Sequence, residues 1–207
     1  HLTVREQVTD EEAQSIARAK QTLLQKRATR VAPGRDEKQL TAWNALAVRG
    51  LARAGSALER PDLVDAAADA VDFLRRELMQ GGRLLASFKD GAARFAAYLD
   101  DHAFLLDAVL ELLQARWNTE HLEFARQLAD LLLEHFEDKD KGGFWFTAND
   151  SEQLIHRSKP LADEAVPSGT GIAAFALQRL GFLLGESRDL DAAERTLRAG
   201  WRASVES

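Results

Sequence analysis

Residues 98–113 read YLDDHAFLLDAVLELL: a polar-aromatic cluster, Tyr98-Leu99-Asp100-Asp101-His102, runs into eleven residues whose only charges are Asp107 and Glu111. A soluble helix that is apolar on nearly every side is normally surrounded by other helices, so 98–116 reads as an inner helix. Two more segments share the pattern. Residues 41–54 set Arg49 and Arg53 in an Ala/Leu/Val/Trp surface, and 171–184 carry Arg179 alone. The segments between them are amphipathic. In 62–79, Leu63, Ala66, Ala67, Ala70, Val71, Leu74 and Leu78 recur at spacings of three and four, with Asp65, Asp69, Asp72 and Arg76 opposite. Residues 120–136 repeat this stripe, 189–205 carry a weaker copy, and 9–26 a fourth behind Thr9, placed as an N-cap.

Inner and outer segments alternate: 41–55, 62–79, 98–116, 119–136, 168–184, 189–205. Between an outer segment and the next inner one, 83–88 and 92–97 read as strands about a turn containing Asp90-Gly91, and 143–147 and 152–156 read the same way. The repeat is unequal, 55 residues from Trp43 to Tyr98 and 70 from Tyr98 to Ser168, which excludes a strict solenoid. The expected fold is all-α: a partial α/α toroid, about three helical hairpins of a six-hairpin barrel, with short β-hairpins in the connections and 1–207 as one domain. An open arc leaves apolar faces at both ends. The remainder of a parent chain, or a homo-oligomer, is expected to cover them, and the opening residue His1 reads as an internal position.

Composition narrows the partners. The chain has 207 residues, 29% of them charged, and a formal charge of −6, which argues against nucleic acid or an anionic membrane surface. No apolar run approaches the roughly 20 residues that span a bilayer, and no signal-peptide pattern opens the chain; a cytoplasmic location is expected. With no cysteine there is no disulfide, thiolate metal site or cysteine nucleophile. His1, His121, His135 and His156 show no metal-ligand spacing, and no Walker or dinucleotide fingerprint accompanies the glycines. No metal and no cofactor is expected.

Chemistry-bearing residues cluster before each inner helix. The first cluster holds Asp36, Lys38, Trp43 and Asn44; the second Tyr98, Asp100, Asp101 and His102; the third Arg157, Lys159, Asp163, Glu164 and Ser168. If the inner helices run parallel, all three meet at one mouth, where helix N-termini present unpaired N–H groups. Asp100, Asp101, Asp36 and Asp163 are the candidate catalytic carboxylates. Lys38, Trp43, Asn44, Tyr98, His102, Trp145, Arg157 and Lys159 are the candidate substrate-binding groups, and Phe88, Phe95, Phe144, Trp145 and Phe146 would wall the mouth. One of Asp100 and Asp101 reads equally as an N-cap, Trp43 as a core residue, His102 as a structural histidine and Ser168 as a capping serine.

Taken in order, Asp36-Glu37-Lys38, Leu40-Thr41-Ala42-Trp43-Asn44, Tyr98-Leu99-Asp100-Asp101, Gly142-Gly143-Phe144, Arg157-Ser158-Lys159 and 163–168 resemble the C-terminal part of the spermatogenesis-associated, thioredoxin-domain-containing family. The resemblance implies an N-terminal thioredoxin-like domain outside this chain. It also implies an α/α toroid similar to those of six-hairpin glycosidases and N-acylglucosamine 2-epimerases. The expected function is carbohydrate-related: binding, hydrolysis or isomerisation of a sugar or sugar derivative at the acidic rim. The alternative is a non-catalytic helical scaffold for a thioredoxin-like domain or protein partner, its rim filled by its own ion pairs.

Overall fold

The computed structural model describes residues 9–152 and 156–205. The chain divides into two compact units, with the boundary between Glu37 and Lys38. The first unit holds α1 (Asp10–Ala28), which Thr9 caps as its position predicts. The Thr9 hydroxyl accepts from the Glu12 amide, and the Glu12 carboxylate accepts from the Thr9 amide. An acidic first turn and the basic Lys26 and Arg27 in the last turn complement the helix dipole. No residue of α1 is buried. This helix rests on local propensity and its caps.

The second unit is a partial α/α toroid of three helical hairpins. Its inner helices are α2 (Thr41–Ala57), α4 (Leu99–Ala115) and α6 (Gly169–Leu184); they pack side by side in chain order. Each outer helix, α3 (Pro61–Phe73), α5 (Thr119–His135) and α7 (Ser187–Val205), folds back on the inner helix before it. The turns have identifiable causes. Pro61 opens α3, where a missing N–H costs nothing. The Asn118 side chain caps α5 by accepting from the Glu120 and His121 amides, and Gly185 closes α6 in the left-handed conformation. α4 is the axis of the core: Leu99, Leu105, Leu106, Val109 and Leu112 are wholly buried, and its two charged interior residues point into ion pairs.

A short antiparallel sheet sits between α3 and α4. β3 (Arg83–Lys89) pairs with β4 (Ala92–Ala96), Lys89 opposite Ala92. Asp90 and Gly91 both take positive φ, 53° and 75°, the two-residue turn that Asp-Gly favours. β1 (Gln39–Leu40) and β2 (Met79–Gln80) also pair with β3, Leu40 opposite Ser87 and Met79 opposite Leu84. The Thr41 hydroxyl donates to the Leu85 carbonyl at 2.7 Å, latching the sheet to the start of α2.

The second expected hairpin falls partly on residues 153–155, outside the described residues. Among the described residues, 143–147 form no strand with the segment C-terminal to them; Phe144 bridges back to Glu137 and the Phe146 amide reaches the Ser158 carbonyl. The Asp138 carboxylate accepts from the Asp140 and Lys141 amides and from Lys159 Nζ at 2.6 Å, folding 138–143 into a closed loop. The aromatic wall is also redistributed. Phe144 is wholly buried, and Phe88 packs edge-on against Phe73 in the core.

Candidate functional site

The three inner helices begin at one end of the unit, and two adjacent aspartates establish it. Asp101, in the first turn of α4, accepts from the Tyr98 amide at 2.9 Å and, across the helix boundary, from the Ala42 amide at 2.9 Å in the first turn of α2. Both amides belong to the helix-start donors that have no intrahelical partner. Asp101 is 6% exposed, and burial pushes its carboxyl up to about 6 against those two hydrogen bonds. Asp100 points the other way, toward α6. Its Oδ1 lies so close to the Gly169 Cα that a Cβ there would come within 2.0 Å of it.

Asp100 lines a cavity of about 300 Å³ together with Phe146, Ser158, Glu164, Val166 and Ser168. Its carboxylate makes no hydrogen bond or ion pair among the described residues, and burial raises its pKa above the ordinary aspartate value. Phe146 carries Tyr98 stacked on it, ring centroids 5.1 Å apart and 13° from parallel. The far wall is held by two hydrogen bonds. The Asp163 carboxylate accepts from the Ser168 amide at 2.8 Å, and the Ser168 hydroxyl caps α6. A half-buried carboxylate with open lone pairs, two hydroxyl side chains and the Phe146 ring can receive hydroxyl groups or exchange a proton.

Most of the other candidates hold the frame rather than the cavity. Lys159 is committed to Asp138 and to the Gly142 carbonyl at 2.7 Å, with its ammonium 4.8 Å from the Trp145 ring centre. Arg157 donates to the Thr147 carbonyl at 2.6 Å and lies 5.0 Å over the same ring. Neither cation lines the cavity. Asn44 donates to the Leu40 carbonyl, closing the α2 start, whereas Trp43 is 69% exposed. His102 is buried; its Nδ1 donates to the Tyr98 carbonyl at 2.9 Å, its ring packs against Phe136, and its Nε2 has no partner. Burial pushes its pKa down to about 4, so it is neutral at physiological pH. Lys38 stands just before β1. Asp36 belongs to the first unit, between Arg35 and Glu37, which pair with each other at 2.6 Å.

One polar layer lies below the mouth. Asp107, two helical turns beyond Asp100, is 1% exposed and receives Arg49 of α2 and Arg179 of α6, each at 2.7 Å. Arg179 also reaches Glu111 at 3.4 Å. Burial raises the Asp107 pKa despite both guanidiniums. The signal was in the sequence: these are nearly all the charges of the inner segments, and a charge inside an apolar helix needs a partner. Among the described residues no cluster of three or more His, Asp or Glu is placed to hold a metal, and no helix is long and apolar enough to cross a membrane.

No protein-family model matches the chain. Spermatogenesis-associated protein 20 of Rattus norvegicus is 34% identical over 167 residues, 75% of this chain, and the Homo sapiens protein of the same name is 31% identical over 180 residues, 82% of this chain. The chain is similar, over most of its own length, to one segment of spermatogenesis-associated protein 20. It spans 21% and 23% of those two relatives' own lengths. Among solved structures, cellobiose 2-epimerase of Spirochaeta thermophila superposes with a TM-score of 0.61 at 22% identity, covering 77% of this chain and 42% of that one. Unsaturated glucuronyl hydrolase of Bacillus sp. GL1 superposes at 0.63 and 19%, covering 82% and 48%. A D-mannose isomerase superposes at 0.62 and 14%, covering 81% and 44%. These likenesses establish the α/α toroid fold, of which the chain supplies slightly under half.

Proposed function

We propose that this segment is half of a carbohydrate-binding toroid, with Asp100 as the ligand-facing carboxylate at the mouth of the inner helices. The observation that carries the reading is the contrast among the candidate aspartates. Asp101 and Asp163 spend oxygens on backbone amides that hold the frame, whereas Asp100 spends neither and lines a cavity. Its raised pKa moves it toward the range useful to a general acid, and Glu164 on the same wall is the second carboxylate such chemistry needs. That the structural neighbours include an epimerase, a hydrolase and an isomerase of sugars supports the substrate class. The scaffold alternative draws on Lys159 and Arg157, both consumed by structural contacts, but it leaves the cavity and the open Asp100 without a role.

The test is a thermal-shift panel of sugars and sugar derivatives on the full-length parent protein. A ligand present at 100 times its Kd stabilises the fold by about 2.7 kcal/mol. A shift with at least one sugar, lost in Asp100→Asn, is the expected result. No shift across the panel transfers the assignment to the scaffold reading.

A further inference from the structure

The charges around the mouth are unbalanced, and this bears on which sugars it accepts. Two carboxylates, Asp100 and Glu164, line the cavity, and Asp101 lies behind Asp100, close enough for their charges to interact. The cations nearby in sequence face elsewhere. Lys159 Nζ is held by Asp138 and the Gly142 carbonyl, and Arg157 by the Thr147 carbonyl and the Trp145 face. Arg49 and Arg179 are held by Asp107, two turns further along α4. The first turn of α6 would ordinarily favour an anion, but the Asp100 carboxylate already lies against Gly169 there.

Resting on the sugar-binding reading, we infer that the mouth selects neutral or amine-bearing sugars and rejects uronates and sugar phosphates. A hydroxyl or ammonium donates to Asp100, while an anionic substituent meets like charge in a cavity of about 300 Å³ with no opposing cation on its wall among the described residues. That volume lies at the small end of ligand sites and suits a single sugar ring. Phe146 on the cavity wall, backed by the stacked Tyr98, offers the apolar part of that ring a surface. Of the two substrate chemistries represented among the structural neighbours, an uncharged sugar and a glucuronyl group, this mouth suits the first.

The experiment is calorimetric titration of the full-length protein with matched probes in gluco and manno configurations: the methyl glycoside, the 2-amino sugar, the uronate and the 6-phosphate. Neutral and amino sugars are expected to bind at least tenfold more tightly than the uronate and phosphate. Glu164→Gln should narrow the gap to the uronate severalfold, as should raising the salt concentration. Uronate or phosphate binding as tight as the neutral sugar overturns the selectivity alone. No binding by any probe overturns the sugar reading beneath it.

Discussion

Asp100 and Asp101 are chemically identical neighbours in different surroundings, Asp101 on two backbone amides and Asp100 on a cavity wall. Replacing Asp101 by Ala leaves two backbone amides at buried helix starts without their acceptor, and the expected cost is about 2–4 kcal/mol, measured by chemical denaturation. Asp100→Asn removes a half-buried charge that has no partner among the described residues, so the midpoint should stay level or rise. The sequence offered one of the pair as an N-cap and the other as a site candidate, but the choice depends on contacts to α2 and α6, 59 residues upstream in the case of Ala42. His102 gives a pH signature. Its pKa is about 4 in the fold, below the ordinary histidine value of 6.5, so between these limits the unfolded chain binds more protons and stability falls as the pH is lowered from 6.5 toward 4. Asp101 and Asp189, both raised to about 6 by burial, act with the opposite sign there. The difference between wild type and His102→Gln isolates the histidine: the variant should lose less stability on acidification. An identical pH dependence would contradict its neutral burial.

At the scale of elements, the helices were legible because the period of apolar residues and the caps point the same way, as with Thr9, Pro61 and Gly185. The first hairpin was legible from Asp90-Gly91. The loop at 138–143 was not, because it depends on a lysine 21 residues further along the chain. β1, at two residues, is too short to show a pattern. The inner helices are joined by two devices, the Asp101 clip and the Asp107 layer, and the second is the more exposed to disruption. Asp107→Ala leaves Arg49 and Arg179 facing a partly buried gap, with an expected cost of about 3 kcal/mol. Replacing Asp107 by Leu and both arginines by Met should recover most of that loss. Equal stability of wild type and Asp107→Ala would show that the layer contributes nothing.

At the scale of the molecule, the arc has two open edges. On α2, Trp43, Ala47, Gly50 and Ala57 are exposed with Arg53 among them, and at the other end Phe182, Leu183, Leu197 and Trp201 are each half exposed or more. Exposed large apolar side chains grouped in this way mark surfaces that another element covers. We propose that further helical hairpins of the parent chain cover them, since the toroids it resembles are about twice as long as the portion matched here. The 207-residue chain alone should therefore self-associate with concentration in sedimentation velocity, and Leu197→Ser with Trp201→Ser should weaken that association. In the full-length protein, quenching of Trp43 and Trp201 fluorescence by acrylamide should fall. The expectation of further hairpins comes from their count in the sequence; the residues at the edges required the packing.

The most direct measurement is the affinity of the full-length protein for its best-shifting sugar, compared among wild type, Asp100→Asn and Gly169→Ala. The alanine methyl would occupy the place of the Asp100 carboxylate oxygen. Loss of a charge-assisted hydrogen bond worth about 1.5–3 kcal/mol corresponds to a weakening of roughly ten- to hundredfold. Both variants are expected to show it while remaining folded. Unchanged affinity in both would place the sugar elsewhere and contradict the assignment of the mouth.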